Sequence, residues 1–237
     1  MPRPSAARID AVMERASAAL VGTDYFEAER LACDALAAAR ALGAFERMAR
    51  ICLPLQEARR QRMDAAFEAA AENAPRRGRR AASRAKDAVG RRAARIVGLP
   101  VDEQTRLEPG CWLVEPPLVG ADARRLRVAA FQASTPALVV CREPMTRGGT
   151  WPIVAVGSLV VRTYVVPPND PPRPDLDWFA RALEAIGDAA IAQVAGEIDP
   201  VRRVDGLLAR LDASPEHEKL HQALADACVV AARMHGG

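Results

Sequence analysis

The chain has 237 residues, of which 50% are hydrophobic, 27% are charged and 4% are aromatic, and its formal net charge is +3. Its 49 alanines favour helices that pack closely together. There is enough apolar material for one or two domains with a core, and no apolar run approaches the length of a membrane span, about 18 residues. Charged residues interrupt the first apolar positions, where a secretory signal needs an unbroken stretch. We therefore expect a cytoplasmic protein.

The five cysteines stand singly along the chain, and no two of them form a C-x-x-C pair. An odd number of scattered cysteines indicates reduced thiols that serve as small core residues. No histidine stands beside any of them in the sequence to activate a thiol. We predict that most of them are inert core residues, with a thiol nucleophile as the alternative; the five are Cys33, Cys52, Cys111, Cys141 and Cys228.

Apolar residues at three- and four-residue intervals predict three helices in the first 73 residues. The first spans 6–20, and a turn through Gly22 leads to a second helix over 25–40, with Asp24 as its N-cap. The third helix begins near Ala44 and continues to about residue 67. Pro54 lacks the backbone donor that a helix interior needs, so we expect a kink or a new helix start there.

The next segment, 75–100, contains nearly all of the positive excess. Residues 73–100 hold 9 basic and 1 acidic residue, a balance of +8, interrupted by proline and glycine. We predict a solvated basic connector, with nucleic-acid binding through its cations as the alternative. No aromatic residue is available there for a base to stack on. The cations concerned are Arg76, Arg77, Arg79, Arg80, Arg84, Lys86, Arg91, Arg92 and Arg95.

Short β-branched runs predict strands at 111–115, 137–141, 152–156 and 159–166. A helical stretch over 121–133 separates the first two, which indicates a parallel crossover. Turn residues at 145–150 and 157–158 indicate hairpins between the later strands. The segment 101–170 is therefore predicted to be a small α/β module of three or four strands.

The C-terminal part, 171–237, is predicted to be helical again. Apolar stripes extend over 176–194 and from Val201 to Leu211. Ser214 and Pro215 then predict the start of a last helix, with the serine as cap and the proline in the first turn.

Both ends of the chain resemble the tetratricopeptide repeat (TPR), a stacked pair of helices. The stretch Thr23–Leu36 is similar to the second half of such a repeat, which favours a turn, then tyrosine, then alanine at helical spacing. A second partial match near the C-terminus involves Leu207, Pro215, His221, Leu224, Ala225 and Cys228. The resemblance implies helical hairpins that form a groove for a segment of a partner protein.

The sharpest catalytic motif in the sequence is His217-Glu218-Lys219-Leu220-His221, a literal H-E-x-x-H. On a helix the two histidines would share a face and could bind zinc, with the glutamate as general base. Lys219 and the nearby Pro215 argue against a buried mid-helix metal site. The packing hypothesis, in which His221 occupies a TPR-like core position, explains the same residues without a metal.

A second candidate site lies at the predicted carboxyl ends of the parallel strands. Arg142 and Arg147 accompany two glycines there and could hold a carboxylate or a phosphate. A hairpin with solvated arginines explains the same residues. No Ser-His-Asp set can be read from the sequence, because all three histidines lie in the last 21 residues.

These observations predict a mainly helical α+β protein with TPR-like hairpins at 1–74 and 171–237 flanking the α/β module. We expect a non-catalytic protein-interaction or assembly module without a cofactor. Its partner would be another protein or a second copy of the chain. Nucleic-acid binding through 76–95 is the alternative, and a zinc-dependent hydrolase using His217 and His221 is the remote one.

Overall fold

The computed structural model describes residues 5–72, 94–97, 105–168 and 174–235. The basic segment, 75–100, therefore lies outside the described residues except for the backbone of Ala94–Val97, in which Arg95 is the one basic residue. None of the described helices combines the length and the apolar character that a membrane span requires.

The described part is a mainly helical α+β fold, as predicted. In chain order its elements are α1 (Ala6–Val21), α2 (Tyr25–Ala41), α3 (Phe45–Glu72), β1 (Ala94–Val97), β2 (Gly110–Val114), α4 (Gly120–Gln132), β3 (Ala137–Arg142), β4 (Trp151–Val156), β5 (Val160–Val165), α5 (Leu176–Ala192), α6 (Pro200–Ala213) and α7 (Glu218–His235).

The chain divides into two compact units that interleave along the sequence. The helical unit comprises Met1–Arg62, Val156–Val161 and Ile186–Gly237. The sheet unit comprises Met63–Ala155 and Arg162–Ala185. The N-terminal and C-terminal helices thus belong to the same unit.

The helical unit is built around small side chains, as the alanine content predicts. On α2 the buried stripe includes Ala28, Ala32, Ala35 and Ala39, which let neighbouring helices approach closely. The same unit buries larger residues of α3, α6 and α7, among them Met48, Leu55, Leu207, Leu220 and Leu224. Burial of this apolar surface is the main stabilising term of such a unit.

The helix boundaries confirm some cap predictions and correct others. Asp24 caps α2 as predicted, since its Oδ1 accepts from the Glu27 amide at 3.1 Å. The turn before it differs from the prediction, because Thr23, not Gly22, adopts the positive φ of 61°. A kink or a new helix start is predicted at Pro54, and of these two the new start is wrong, because α3 continues through this residue as one helix. Apolar residues on both sides of Pro54 are buried, and this packing offsets the lost hydrogen bond.

The predicted start of the last helix is also wrong. Ser214 is the C-terminal cap of α6, and its amide bonds the Arg210 carbonyl at 2.9 Å. The role of N-cap passes to His217, whose Nδ1 accepts from the Leu220 amide at 3.2 Å. The helix α7 therefore begins at Glu218, three residues after Pro215.

A mixed sheet with the order β1-β2-β3-β4-β5 forms the centre of the sheet unit. Strands β2 and β3 are parallel and α4 connects them, which confirms the predicted crossover. Strands β3 and β4 are antiparallel, as a hairpin requires. The four predicted strand runs correspond to β2–β5, whereas β1, parallel to β2, lies inside the segment predicted as a connector.

Side chains of β2, α4, β3 and the segments on either side of β2 form the core between the sheet and its crossover helix. The buried members are Leu107, Val114, Leu118, Ala123, Leu126, Ala130, Ala137 and Cys141. Two aromatic pairs add edge-to-face contacts within this unit, Phe67 with Phe179 and Trp151 with Trp178, whose ring centroids are 6.3 and 5.5 Å apart.

Candidate functional site

A buried ionic cluster is the chemically richest feature of the helical unit. The carboxylate of Glu29 on α2 accepts a hydrogen bond from Arg59 Nε at 2.8 Å and a second one from Arg62 Nη1, both on α3. The three side chains are 6 to 9% exposed. The Arg62 guanidinium also lies over the ring of Phe26, 4.7 Å from its centroid. One carboxylate thus fixes α2 against α3 through two arginines.

The charges in this cluster stabilise one another against the cost of burial. Burial raises the pKa of Glu29, but the charges of Arg59 and Arg62 outweigh it, so the pKa lies below its usual value. Burial likewise opposes the charge on Arg59, yet Glu29 outweighs this effect and raises the pKa of Arg59. Glu29 and Arg59 are therefore ionised at neutral pH.

His221 of the H-E-x-x-H motif joins this cluster from α7. Its Nε2 is 2.9 Å from the Pro215 carbonyl oxygen, and Arg59 Nη1 is 3.5 Å from the same oxygen. A carbonyl oxygen only accepts, so Nε2 carries the proton of the neutral ring. Burial, together with the adjacent Arg59 cation, lowers the pKa of His221 to about 3. The Nδ1 atom is buried without a hydrogen-bond partner among the described residues.

His217, the other histidine of the motif, has a different structural role. Besides capping α7, it is buried with Nε2 3.4 Å from Asp188 Oδ1. Its ring packs directly on the backbone of Gly187, where an added Cβ would lie 2.0 Å from the imidazole Cγ. Lys219 Nζ approaches the same Asp188 carboxylate at 3.5 Å.

The structure thus gives the two histidines separate tasks. Among the described residues, no group of three potential metal ligands contains both His217 and His221. The Arg59 guanidinium, 3.5 Å from His221 Nε2, would also repel a divalent cation there. Glu218, the would-be general base, is exposed and accepts from Gln222 Nε2 at 3.2 Å. This geometry favours the packing hypothesis over the zinc hypothesis.

Four of the five cysteine side chains are buried, in agreement with the prediction of core residues. Cys33 is half-buried and the other four are buried, and all five are free. Burial raises the pKa of Cys52, Cys111, Cys141 and Cys228 to about 12, and it raises the pKa of Cys33 as well. A thiol with so high a pKa carries almost no thiolate at neutral pH and is a poor nucleophile.

In the sheet unit, the two predicted anion-binding arginines have different surroundings. Arg142 Nε donates to Glu115 Oε1 at 2.6 Å, and its guanidinium lies 4.5 Å from the Trp151 ring centroid. An anionic ligand would have to compete with the Glu115 carboxylate for Arg142. Arg147 is exposed in the turn between β3 and β4, which the hydroxyl of Thr146 closes.

The buried cluster of Glu29, Arg59 and Arg62 was not predicted from the sequence. One signal was available, because the apolar stripe of α3 through Cys52 and Leu55 continues at Arg59 and Arg62 with the same helical spacing. A charged residue on a buried stripe requires an opposite charge nearby. The partner, Glu29, is 30 and 33 residues away, so local spacing could not identify it.

No protein-family model matches this chain, and no match to it is found among curated proteins or solved structures.

Proposed function

We propose that the protein is a non-catalytic interaction module whose helical unit binds another protein. The observation that carries this proposal is an apolar surface on the last two turns of α7. Val229, Val230 and Met234 are 40, 47 and 68% exposed there, within six residues of one helix. Val230 and Met234 lie one turn apart on one face. Single exposed apolar residues are ordinary, whereas adjacent ones on a helix are typical of a binding surface.

The opposite side of α7 is firmly anchored, which makes its exposed side a rigid platform. Leu220, Leu224 and Cys228 are fully buried at helical spacing, and His221 adds its contact with Pro215. A rigid surface loses little conformational entropy on binding, so a small contact can still be selective.

Contacts between the two ends of the chain support the same interpretation. Arg40 of α2 forms a bidentate ion pair with Asp205 of α6, with Nη2 2.6 Å from Oδ2. Arg59 of α3 reaches the Pro215 carbonyl before α7. The histidines and arginines with catalytic potential thereby serve packing and assembly, which agrees with the interaction module that the TPR resemblance implies.

The chemistry of the surface defines the expected partner. An amphipathic helix presents apolar side chains at three- and four-residue spacing, which suits Val230 and Met234. Arg233 lies between them in sequence and is exposed, so a carboxylate beside the partner's apolar stripe would complement it. We therefore expect an amphipathic helix with an acidic flank as the bound segment.

A photo-crosslinking amino acid incorporated at position 230 and activated in the cells that express the protein tests this proposal. The expected result is one discrete adduct that disappears when Met234→Glu is added, because a buried negative charge opposes the contact. The matched control places the photo-crosslinker at Gln222, eight residues before Val230, where the exposed residues at the start of α7 are polar. Equal adducts at both positions, or an adduct that survives Met234→Glu, would refute the proposal.

The charge of the basic segment supports a second candidate, nucleic-acid binding. Residues 73–100 hold 9 basic and 1 acidic residue, enough to neutralise several phosphates. Binding of duplex DNA or RNA by this route must weaken steeply with added salt. It must also vanish when the segment's arginines become glutamine, and failure of either criterion would exclude this function.

A further inference from the structure

The strand β5 has an unusual sequence symmetry at the edge of the sheet. Among the described strands β5 is the last in the sheet order, with β4 as its neighbour. The residues of β5 and the next position read Val160-Val161-Arg162-Thr163-Tyr164-Val165-Val166. This sequence reads the same from either end except that arginine and tyrosine exchange places. Rotation about a two-fold axis at Thr163 therefore matches the strand with itself.

One side of this strand is apolar and exposed to solvent. Val160, Tyr164 and Val166 are 56, 60 and 77% exposed, and the Arg162 side chain between them is about half exposed, at 51%. These residues alternate along the strand and so share one face, while Val161 on the other face is buried. An edge strand with exposed β-branched and aromatic residues is a template for pairing with another strand.

We propose that two copies of the chain associate through an antiparallel pairing of β5 with β5 of the second copy, centred on Thr163. This inference goes beyond the proposed function, because it concerns the sheet edge and commits to a second copy as the occupant. In this register Val160 lies opposite Val166 of the second copy, and Arg162 lies opposite Tyr164. Each of these exposed pairs occurs twice in the dimer, as two-fold symmetry requires.

The charge of Arg162 favours the register centred on Thr163 over registers shifted along the strand. Directly opposed like charges destabilise a strand pair, but the Thr163 axis keeps the two arginines apart and sets each beside a tyrosine ring. Within its own chain Arg162 Nη2 already donates to Glu143 Oε1 at 2.7 Å. Arg162 therefore has an acidic partner in its own chain before the copies meet.

The backbone limits how far the new ladder extends. The Val166 carbonyl accepts from Trp178 Nε1 at 2.8 Å, so it already has a partner. Hydrogen bonds between the copies are therefore confined to residues 161–165, because Val160 lies opposite Val166, and these two residues contribute their exposed side chains. A ladder of about five residues is within the usual length of a strand.

Sedimentation equilibrium of the full chain over a dilution series measures the association directly. The expected mass is twice the 25.5 kDa of one chain. Tyr164→Lys places a cation opposite Arg162 twice per dimer and should weaken dimerisation by about tenfold or more, whereas Tyr164→Phe should preserve it. The control is Val128→Lys on α4, which introduces the same cation at an exposed apolar residue outside β5. It should leave the mass of the dimer unchanged.

A cross-linking experiment tests the register itself. Opposite residues in an antiparallel pair have Cα atoms about 4.5 to 5.5 Å apart, within the range of a disulfide. In the Thr163→Cys variant, diamide should oxidise two thiols on the axis to one intermolecular disulfide. Tyr164→Cys, which faces position 162 of the second copy, should cross-link far less. A chain that stays at 25.5 kDa, a dimer insensitive to Tyr164→Lys, or equal cross-linking at both positions would overturn the proposal.

Discussion

The neutral, buried imidazole of His221 makes a quantitative prediction about stability and pH. Its pKa is about 3 in the folded chain and near the ordinary 6.5 in the unfolded chain. Below pH 6.5 His221 therefore binds a proton in the unfolded chain but stays neutral in the folded chain, so falling pH favours unfolding. The stabilisation by the neutral imidazole is complete above pH 6.5, the pKa of the unfolded chain. It is lost progressively as the pH falls toward about 3, the pKa of the folded chain.

The magnitude follows from the difference between the two pKa values. Between about pH 7.5 and about pH 5, proton uptake by the unfolded chain lowers the free energy of unfolding by about 2 kcal/mol. The pKa of Glu29 is lowered from 4.5, so its own contribution is lost at more acidic pH and lies outside this window. The effect of about 2 kcal/mol expected from His221 in this range is thus separate from the contribution of Glu29.

Urea unfolding monitored by circular dichroism, repeated across this pH range, measures the effect. His221→Gln keeps a donor for the Pro215 carbonyl but cannot titrate, so about 2 kcal/mol of the pH dependence should disappear whatever its constant cost in packing. His217→Gln is the matched control, since it removes the capping imidazole and should retain the His221 contribution. Parallel pH profiles for the native chain and His221→Gln would refute the reasoning.

Three further predictions concern packing, charge and thiol chemistry. Gly187→Ala should destabilise the chain by about 2 to 4 kcal/mol in thermal or urea unfolding, because the added Cβ would collide with His217. Gly196→Ala is the control and should cost under about 1 kcal/mol, because no atom lies within 4 Å of its added Cβ. Glu29→Gln leaves two buried arginines without their carboxylate and should cost about 3 to 5 kcal/mol, compared with less than about 1 kcal/mol for the surface variant Glu57→Gln. The four buried thiols should react with Ellman's reagent after unfolding in urea and hardly at all before it, and rapid reaction of the folded chain would contradict their burial.

The elements with strong local patterns could be predicted from the sequence. The alanine-rich stripe of α2 and its Asp24 cap require information from neighbouring residues alone, and both are confirmed. The β-branched runs of β2–β5 are likewise confirmed, together with the parallel crossover through α4. In these segments the period of the apolar residues agrees with the final structure.

Other features depend on contacts between distant residues. Ser214 and Pro215 have the composition of a helix start, but the contact of Pro215 with His221 and Arg59 places them before it. The short run of β1 sits among arginines, and its strand character depends on pairing with β2. The Glu29 cluster requires α2 and α3 to be side by side before its charges can be recognised as partners.

The most direct test of the account is the state of His221, since both the packing hypothesis and the prediction that no zinc binds there depend on it. Long-range proton–nitrogen NMR of the chain labelled with ¹⁵N-histidine reports the tautomer and the charge of each imidazole. We expect His221 to carry its proton on Nε2, to stay neutral down to about pH 5 and to keep its nitrogen shifts when zinc is added. An imidazolium signal at neutral pH, or a zinc-induced shift shared by His217 and His221, would contradict the account.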